Sequence, residues 1–475
     1  MKLFPRKFIL IFAVALFFTS CDWLDGEDTV VSTNAAFVSL TFGANDSIPN
    51  IDDAVFTLSW DSLINDSIIV NLDSLPFQTR IDSVYPTFKF YSTSGAILYL
   101  RDSLGTGIDS IAITGKDTID FTRVIKLKNT AADGITKSRT YPIKVNVHQV
   151  EPNLYNWVKK VDNIYSQTAS MQKAVTKNDS IYFYVSSGVN NYLYVCGIGK
   201  PWIEKKVTGL PPYCNLNNLT QFNNKFYLIK DSADIYSTSD CYNWKKENIT
   251  NNEYKFISFL YALNGKFWAI TKSNTGQTYN FAYSENGTQW NKGDKIPANF
   301  PVGDFAALSF NSKSKKPKAI VLGGYSADGR LLNNVWSTEN GTHWVDFTVE
   351  NVTLDSMSGA TILPYDDKLL LFGGMNQLGK IVETNYMESI DEGLSWSIPD
   401  TTYNQIRQAT INGSKTTYLK YEPRSYQSAL NIVVNNVQKK YSDHFIYLIG
   451  GRDEKGIVYK DVWVGKLNKL SFIRK

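Results

Sequence analysis

The stretch of sequence that decides the fold runs from residue 319 to residue 344 and reads AIVLGGYSADGRLLNNVWSTENGTHW. It holds an apolar run, the pair Gly323 and Gly324, a polar loop and a turn that ends at Trp344. An apolar run that stops at two glycines predicts a buried strand followed by backbone in a conformation that favours glycine. The Asn and Gly residues near the end predict a tight turn between two further strands.

The glycine pattern of this stretch recurs in register along the chain. The diglycines are Gly323 and Gly324, Gly373 and Gly374, and Gly450 and Gly451. In each copy, the second glycine precedes another glycine by five residues and an aromatic residue by twelve. Three copies in one register predict three repeats of the same local structure.

The turn that ends in tryptophan also recurs. Its four copies end at Trp244, Trp290, Trp344 and Trp396, with spacings of 46, 54 and 52 residues. This period is that of a four-stranded unit. In such a turn, Asp or Asn caps the backbone, Gly takes a positive φ and Trp packs between units. We therefore expect the four tryptophans to be structural and not sugar-stacking platforms.

The two repeating patterns together resemble known propeller proteins. The diglycine repeats resemble kelch repeats, and the tryptophan turns resemble Asp-boxes. The resemblance implies an all-β chain with a kelch/Asp-box-like β-propeller over residues 151–475, of six blades, with seven as the alternative. The first three blades lack the diglycine. The last blade could be completed by residues 470–473 or, from the N-terminal side, by residues 154–158, and the sequence leaves both open.

Residues 35–150 have a different composition. They contain short alternating runs, such as FVSLTF at 37–42 and AILYL at 96–100, with a turn about every ten residues. This pattern predicts an immunoglobulin-like β-sandwich. No cluster of His, Cys or carboxylates converges there, so we expect this domain to be a spacer or stalk.

The N-terminus reads as an export signal. Residues 1–20 begin with basic residues and continue with an apolar run that is too short to span a bilayer. The run ends in FTSC at residues 18–21, which resembles a bacterial lipobox with Cys21 as the lipidated residue. Residues 21–34 are acidic and resemble the tether of Bacteroidota-type surface lipoproteins. These resemblances imply a surface-exposed outer-membrane lipoprotein; the alternative is an ordinary signal peptide followed by a chance Cys.

A second pattern fits the same group of bacteria. Of 32 Asp residues, 13 begin Asp-Ser or Asp-Thr followed by a small or apolar residue or Thr, and nine of these lie between residues 28 and 119. The triplet resembles the O-glycosylation acceptor of those bacteria. The candidate sites are Ser47, Ser67, Ser83, Ser110 and Ser356. The alternative is that Asp-Ser pairs mark hairpin turns.

The residues that usually carry catalysis or bind metals are few. The chain has three His, and besides Cys21 it has only Cys196, Cys214 and Cys241, without CxxC spacing. We expect these cysteines to be buried, or two of them to form one bridge, and we expect no metal and no cofactor. Without Lys2, Arg6 and Lys7 the chain has 46 basic and 45 acidic residues, so its charge gives no reason to expect nucleic acid.

The loops after the diglycines are the predicted binding site, because they should emerge together on one face of a propeller. Their candidate residues are Asp328, Arg330, Asn376, Gln377, Lys380, Arg452, Asp453 and Glu454. We expect a non-enzymatic module that binds a glycan or a partner protein at the cell surface. The resemblance to Asp-box proteins also implies an alternative, a sialidase-like or other glycoside hydrolase. A third possibility is a structural or assembly component of an outer-membrane complex.

Overall fold

The computed structural model describes residues 31–468, except residues 50, 136, 250–252, 349–353, 413–414 and 437–440. Cys21 and residues 22–30 of the acidic tether lie outside the described residues. The chain divides into two compact units, Met1–Val150 and Glu151–Lys475. In the described parts both units are built from β-strands, with two short 3-10 helices, Ile51–Asp53 and Leu216–Asn218. No helix in the described ranges is long and apolar enough to cross a membrane.

The N-terminal unit contains a large and a small sheet. Its strands are β1 (Phe37–Phe42), β2 (Phe56–Asp61), β3 (Asp66–Asn71), β4 (Pro86–Phe90), β5 (Gly95–Arg101), β6 (Ile108–Ala112), β7 (Val124–Thr130) and β8 (Ser138–Lys144). Strands β1 and β4 pair with each other, and the other six form one sheet in the order β2-β3-β8-β7-β5-β6. All pairs are antiparallel except β3 with β8. Alternate residues of these strands, such as Leu40, Ile69, Leu98 and Leu127, form a common core.

The C-terminal unit consists mainly of six sheets, which we number in chain order. Sheet 1 contains β10 (Met171–Lys177), β11 (Ser180–Ser186), β12 (Asn191–Gly197) and β13 (Ile203–Lys205). Sheet 2 contains β14 (Thr220–Phe222), β15 (Lys225–Lys230), β16 (Asp234–Thr238) and β17 (Lys245–Lys246). Sheet 3 contains β18 (Tyr254–Leu263), β19 (Lys266–Ser273), β20 (Tyr279–Ser284) and β21 (Asn291–Lys295).

The remaining three sheets contain the diglycines. Sheet 4 has β22 (Ala306–Asn311), β23 (Pro317–Leu322), β24 (Val335–Thr338) and β25 (Val345–Asp346). Sheet 5 has β27 (Thr361–Tyr365), β28 (Lys368–Phe372) and β30 (Met387–Ser389), beside a short pair of β26 (Met357–Ser358) and β29 (Met375–Asn376). Sheet 6 has β33 (Ser428–Asn436), β34 (Tyr441–Ile449), β35 (Val462–Leu467) and β9 (Tyr155–Val161). A separate hairpin of β31 (Arg407–Asn412) and β32 (Lys415–Lys420) precedes sheet 6.

Strand β9 completes sheet 6 from the N-terminal side. It pairs antiparallel with β35, so that Tyr155 lies opposite Leu467. Of the two ways to complete this sheet that the sequence left open, the structure has residues 155–161 in the outer position. Residues 470–473 lie outside the described residues. Pairing the first strand with the last joins the two ends of the unit in one sheet.

Apolar layers separate neighbouring sheets. In the described residues there are six of them, between sheets 1 and 2, 2 and 3, 3 and 4, 4 and 5, 5 and 6, and 6 and 1. The last layer joins Ile181 and Phe183 of sheet 1 to Ile432 and Val464 of sheet 6. Each sheet is therefore buried on both faces, which explains the continuous apolar runs of its central strands.

The four tryptophan turns share one hydrogen-bond plan. In the turn of sheet 3, the Gly287 amide donates to Ser284 Oγ at 2.8 Å, and the Gln289 amide donates to Asn286 Oδ1 at 2.8 Å. Equivalent bonds form at Thr238 and Asp240, Thr338 and Asn340, and Ser389 and Asp391. The tryptophans that follow, Trp244, Trp290, Trp344 and Trp396, pack into the apolar layers.

Candidate functional site

The connection between the second and third strand of each sheet differs between two halves of the C-terminal unit. In sheets 4, 5 and 6 it spans residues 323–334, 373–386 and 450–461. In sheets 1, 2 and 3 it spans only residues 187–190, 231–233 and 274–278. We call sheets 4–6 the long-loop half and sheets 1–3 the short-loop half. The candidate residues from the sequence all lie in the long-loop half.

The diglycines fold the long loops against the next sheet. Gly373 has a φ of +60°, and a Cβ atom added there would lie 1.8 Å from the Arg424 carbonyl oxygen, at the entrance of sheet 6. A Cβ atom on Gly450 would lie 2.6 Å from Gln172 Nε2, at the entrance of sheet 1. Only glycine fits where another backbone or buried amide approaches so closely. The first glycine of each pair therefore positions a loop against its neighbour.

Arg424 is a structural residue of the long-loop half. Its side chain is 1% exposed, and Nε donates to the Glu422 carbonyl at 2.8 Å, while Nη1 donates to the Gly450 carbonyl at 3.2 Å. The guanidinium also forms an ion pair with the buried Asp461. Its Cζ lies 3.7 Å from the ring centroid of Tyr459. All faces and several donors of Arg424 are thus used within the fold.

The candidate residues in the sheet 4 loop pair with each other. Arg330 Nε donates to Asp328 Oδ2 at 2.7 Å, and Arg330 Nη2 donates to Asn299 Oδ1 at 3.0 Å. Hydrogen bonds from Ser326 and Arg330 lower the pKa of Asp328 to about 2. Both charged side chains are more than half exposed. The structure thus has a surface ion pair at two of the candidate binding residues.

A second ion pair joins the loops of sheets 5 and 6. Lys380 Nζ donates to Glu454 Oε1 at 2.7 Å, although the two residues are 74 positions apart. The structure therefore brings these two loops together on one face. Their charges are again mutually paired.

Three further candidates lie in the same two loops. Asn376 Oδ1 accepts from the amides of Leu378 and Lys380, each at 3.0 Å. Asp453 Oδ1 accepts from the amides of Lys455 at 2.9 Å and Ile457 at 2.7 Å. Gln377 is exposed. Asn376 and Asp453 thus stabilise their own turns.

Arg452 differs from the other charged candidates. It is half-buried, its Cζ lies 4.2 Å from the ring centroid of Tyr426, and its Nε has no hydrogen-bond partner. Within the described part of the chain, no carboxylate lies within 4.0 Å of its guanidinium. Arg452 is therefore held by stacking on Tyr426 and not by an ion pair.

A cleft of about 260 Å³, counting its open part, adjoins Arg452. The residues that line it are Ser170, Met171, Gln172, Asn217, Tyr426, Gly451, Arg452 and Val458. They come from sheet 6, from the entrance of sheet 1 and from the 3-10 helix before sheet 2. The cleft therefore lies where the long-loop half meets the short-loop half.

Asp304 lies beside this cluster. Burial raises the pKa of its carboxyl above the ordinary value, although the Tyr426 hydroxyl and the positive charge of Arg452 each lower it. Asp304 and Tyr426 both have left-handed backbone, with φ of +51° and +56°. The Gly359 amide donates to the Asp304 carbonyl at 3.0 Å, and the Tyr426 amide donates to the Gly359 carbonyl at 2.7 Å. These three residues occupy equivalent positions before β22, β27 and β33.

Sequence reasoning missed Asp304, Tyr426 and Gln172. The signal available in the sequence was their position. Each residue lies at or just before the strand that opens its repeat, β22, β33 or β10, where another repeat has a comparable residue. Gln172 Nε2 donates to the Gly451 carbonyl at 3.0 Å, and Gln172 Oε1 accepts from Tyr165. In the same way, Gln427 Oε1 accepts from the Tyr421 hydroxyl at 2.7 Å. Sheets 1 and 6 thus begin alike, although sheet 1 has no diglycine.

The described cysteines and the candidate glycosylation serines lie elsewhere. Cys196, Cys214 and Cys241 are free and buried, so the structure has no bridge among them. Burial raises the pKa of the Cys214 and Cys241 thiols to about 11. No group of His, Cys, Asp and Glu among the described residues could hold a metal ion. Ser47, Ser83 and Ser110 are exposed, whereas Ser67 and Ser356 are half-buried.

The fold of the C-terminal unit and its match to a family model define the class of protein. Residues 151–475 match the family described as DUF6242 beta propeller domain, and the chain is thus a β-propeller protein. Residues 35–145 match the Domain of unknown function (DUF6242) N-terminal domain. The chain therefore belongs to the DUF6242 family.

The other comparisons add little. No curated protein is significantly similar in sequence to this chain. One similar solved structure, described as "Structure of YjhT", is 13% identical and has a TM-score of 0.38. The alignment covers 64% of this chain and 95% of that chain. A similarity at this level carries no argument about function.

Proposed function

We propose that this protein is a lipid-anchored, surface-exposed protein of a Bacteroidota-type outer membrane that binds a glycan without turning it over. In this proposal the N-terminal unit is an immunoglobulin-like stalk, and the C-terminal unit is a six-bladed propeller of kelch and Asp-box type. The observation that carries the binding function is the cleft beside Arg452. Its concave form and its side chains suit a small polar ligand such as a sugar unit better than the flat surface of a protein.

The chemistry of the cleft supports a saccharide ligand. Ser170 offers a hydroxyl, Asn217 an amide, Tyr426 an aromatic ring and Arg452 a guanidinium. Sugars present hydroxyls for hydrogen bonding and C–H faces for aromatic packing, so these groups match them. The loop of sheet 6 and Tyr426 form one wall of the cleft, and residues 170–172 and Asn217 of the short-loop half form the other.

One observation favours a second candidate, a glycoside hydrolase. Burial raises the pKa of the Asp304 carboxyl beside Tyr426, and a buried carboxyl with a raised pKa is a candidate general acid. Hydrolysis usually requires a second carboxylate, and the groups that shift the pKa values of Asp304 and Tyr426 include no second carboxyl. Burial also raises the pKa of Tyr426, which keeps its phenol protonated and poorly nucleophilic. Binding without catalysis is therefore the better-supported function.

A glycan array probed with the purified full chain in mild detergent tests the proposal. The same sugars are incubated with the protein, and released products are measured. We expect binding without turnover. Released sugar would favour the hydrolase, and absence of binding to every glycan would contradict the proposal and favour a protein partner in an outer-membrane assembly.

The anchor is tested separately. The Cys21→Ala variant removes the proposed lipid attachment site, so we expect the variant to leave the membrane fraction. Fractionation of cells that express each form measures this directly. Retention of the variant in the membrane would contradict the lipoprotein assignment, whatever the result of the glycan array.

A further inference from the structure

We propose that Arg452 recognises a carboxylate of the bound saccharide, which makes the ligand an acidic glycan of the uronic-acid type. This inference rests on the proposed glycan-binding function and narrows its ligand class. It starts from the charges on the face that carries the long loops.

Most of the charged candidate residues on this face have a partner within the protein. Asp328 pairs with Arg330, and Lys380 pairs with Glu454. Asp453 accepts from two backbone amides of its own turn. Among the eight residues that the sequence singled out, Arg452 is the cation with no ion pair in the described part of the chain. Lys455 of the same loop also has no ion pair among the described residues, but it is exposed and does not line the cleft. Arg452 is therefore the cation without an ion pair that borders the cleft.

A comparison with Arg424 shows that this availability is specific. Arg424 and Arg452 are 28 positions apart in the sequence, and both adjoin the diglycine Gly450 and Gly451 in the structure. Arg424 is 1% exposed, and its N–H groups donate to two backbone carbonyls and to the carboxylate of Asp461. Arg452 is oriented by the ring of Tyr426 and has an unpartnered Nε. Stacking fixes the plane of the guanidinium. Because Nε is buried and the side chain also hydrogen-bonds Tyr426, the donors left for a ligand at the cleft are N–H groups of Nη1 and Nη2.

A carboxylate is the group that suits this arrangement. A guanidinium presents two parallel N–H donors that match the two oxygens of a carboxylate. Asp304 is too distant to occupy this position as an ion pair, and burial raises the pKa of its carboxyl. Arg452 is half-buried and has no carboxylate within 4.0 Å among the described residues, although the charge of Asp304 is near enough to interact with it. It therefore gains more from an incoming anion than a fully exposed cation does. The Ser170 hydroxyl donates to the Ser186 carbonyl at 3.0 Å and can still accept from a sugar hydroxyl, and the amide of Asn217 can bind a second one.

The test compares acidic glycans with the same glycans after chemical reduction of their carboxylates to primary alcohols. Short oligogalacturonate and hyaluronan fragments are bound to the array beside neutral oligosaccharides, and the full chain is applied in detergent. We expect binding to the carboxylated forms and a loss of about tenfold or more in affinity after reduction. Equal binding of the reduced and carboxylated forms, or binding of neutral glycans only, would overturn the inference and leave glycan binding standing. Absence of binding to every glycan on the array would contradict both the inference and the proposed glycan-binding function.

Variants locate the interaction. Arg452→Met should lower affinity for the carboxylated glycan about tenfold or more and leave affinity for its reduced form unchanged. Arg452→Lys keeps the charge but loses the paired donors, so we expect an intermediate loss. Arg407→Met is the matched control, because Arg407 also stacks on a tyrosine, with its Cζ 3.9 Å from the ring centroid of Tyr418, but does not line the cleft, and it should bind like the unmodified chain. If Arg452→Met lost acidic and reduced glycans equally, its role would be packing and the inference would be wrong.

Discussion

The long-loop and short-loop halves of the C-terminal unit use the same sheets to present different surfaces. Both halves bury the same kind of apolar layer, and tryptophan turns of one hydrogen-bond plan occur in both. They differ in the connection between the second and third strands, which is three to four times longer in sheets 4–6. The two halves thus share the same fold, whereas the length of their loops determines which half carries the candidate binding residues.

The comparison also shows why the diglycine positions require glycine. In sheet 2, Asp231 and Ser232 follow the second strand with φ of +53° and +60°, so positive φ there does not require glycine. The long-loop half has glycine because the backbone or a buried side chain of the next sheet lies where a Cβ atom would be. Close approach, and not backbone conformation alone, explains the sequence signature. The predictions below test this difference.

The largest expected effect is that of Gly373→Ala. Its Cβ atom would lie 1.8 Å from the Arg424 carbonyl, so sheet 6 would have to move, and we expect a loss of at least about 4 kcal/mol of unfolding free energy. Gly379→Ala in the same loop has a similar φ but open space around it, and should lose only about 1 kcal/mol. Thermal unfolding followed by near-UV circular dichroism measures both. Equal losses would show that φ alone requires glycine at these positions.

The next largest effect is that of Arg424→Met. Removing Arg424 leaves the buried Asp461 with only its longer ion pair to Lys159 at 3.6 Å, and breaking a buried pair typically costs about 3–5 kcal/mol. Arg452→Met removes only a stacking contact, so it should cost no more than about 1 kcal/mol. Urea unfolding of the two variants gives the difference. Similar losses would mean that Arg452 is also structural, which would weaken its assignment to the ligand.

The tryptophan turns should be interchangeable between the halves. Asp240 in sheet 2 occupies the position of Asn340 in sheet 4. Asp240→Ala should cost about 1–2 kcal/mol at pH 7 because the turn loses its cap, and Asp240→Asn should cost much less. Urea unfolding at pH 7 measures both. A large loss in the Asn variant would show that sheet 2 needs the charge.

The dependence of stability on acid pH gives a second test of the turn that Asp240 caps. Burial alone raises the pKa of Asp240, but hydrogen bonds from Asn243, Tyr242 and Thr238 lower it well below 3.8. The stability that this charge contributes is therefore present above pH 3.8 and is lost as the pH falls toward the folded-state pKa. Asp240→Asn should lose less stability between pH 5 and pH 2 than the unmodified chain. An unchanged acid dependence would contradict the lowered pKa.

The smallest effect is expected for Asp304→Asn. Because burial raises the pKa of Asp304, its ionised form destabilises the fold above the folded-state pKa. The variant should therefore unfold about 1–3 °C higher at neutral pH, and the gain should disappear as the pH falls through that pKa toward 3.8. Differential scanning calorimetry across this range measures the effect. A lower melting temperature at neutral pH would show that Asp304 is needed as a counter-ion of Arg452.

Sequence reasoning predicted much of the fold and only part of the site. The register of Gly323 and Gly324 with Trp336, and the capping residues before Trp344, are local signals, so strands and turns could be placed from them. The all-β prediction and the propeller were confirmed. The lipidation of Cys21 and the modification of the serines stay predictions. Of the site, the sequence placed the three loops but could not separate paired residues from unpaired ones.

What the sequence by itself determined is the repeating architecture, because glycine positions, apolar runs and turn residues act within a few residues of each other. Only the tertiary structure decided that β9 completes sheet 6, that Lys380 meets Glu454, and that Asp304, Tyr426 and Arg452 lie together. These contacts join residues that are far apart in the chain, and no local pattern encodes their distance. Whether a charge is available to a ligand depends on which partner comes within reach, and the closure of the sheets around each other sets that.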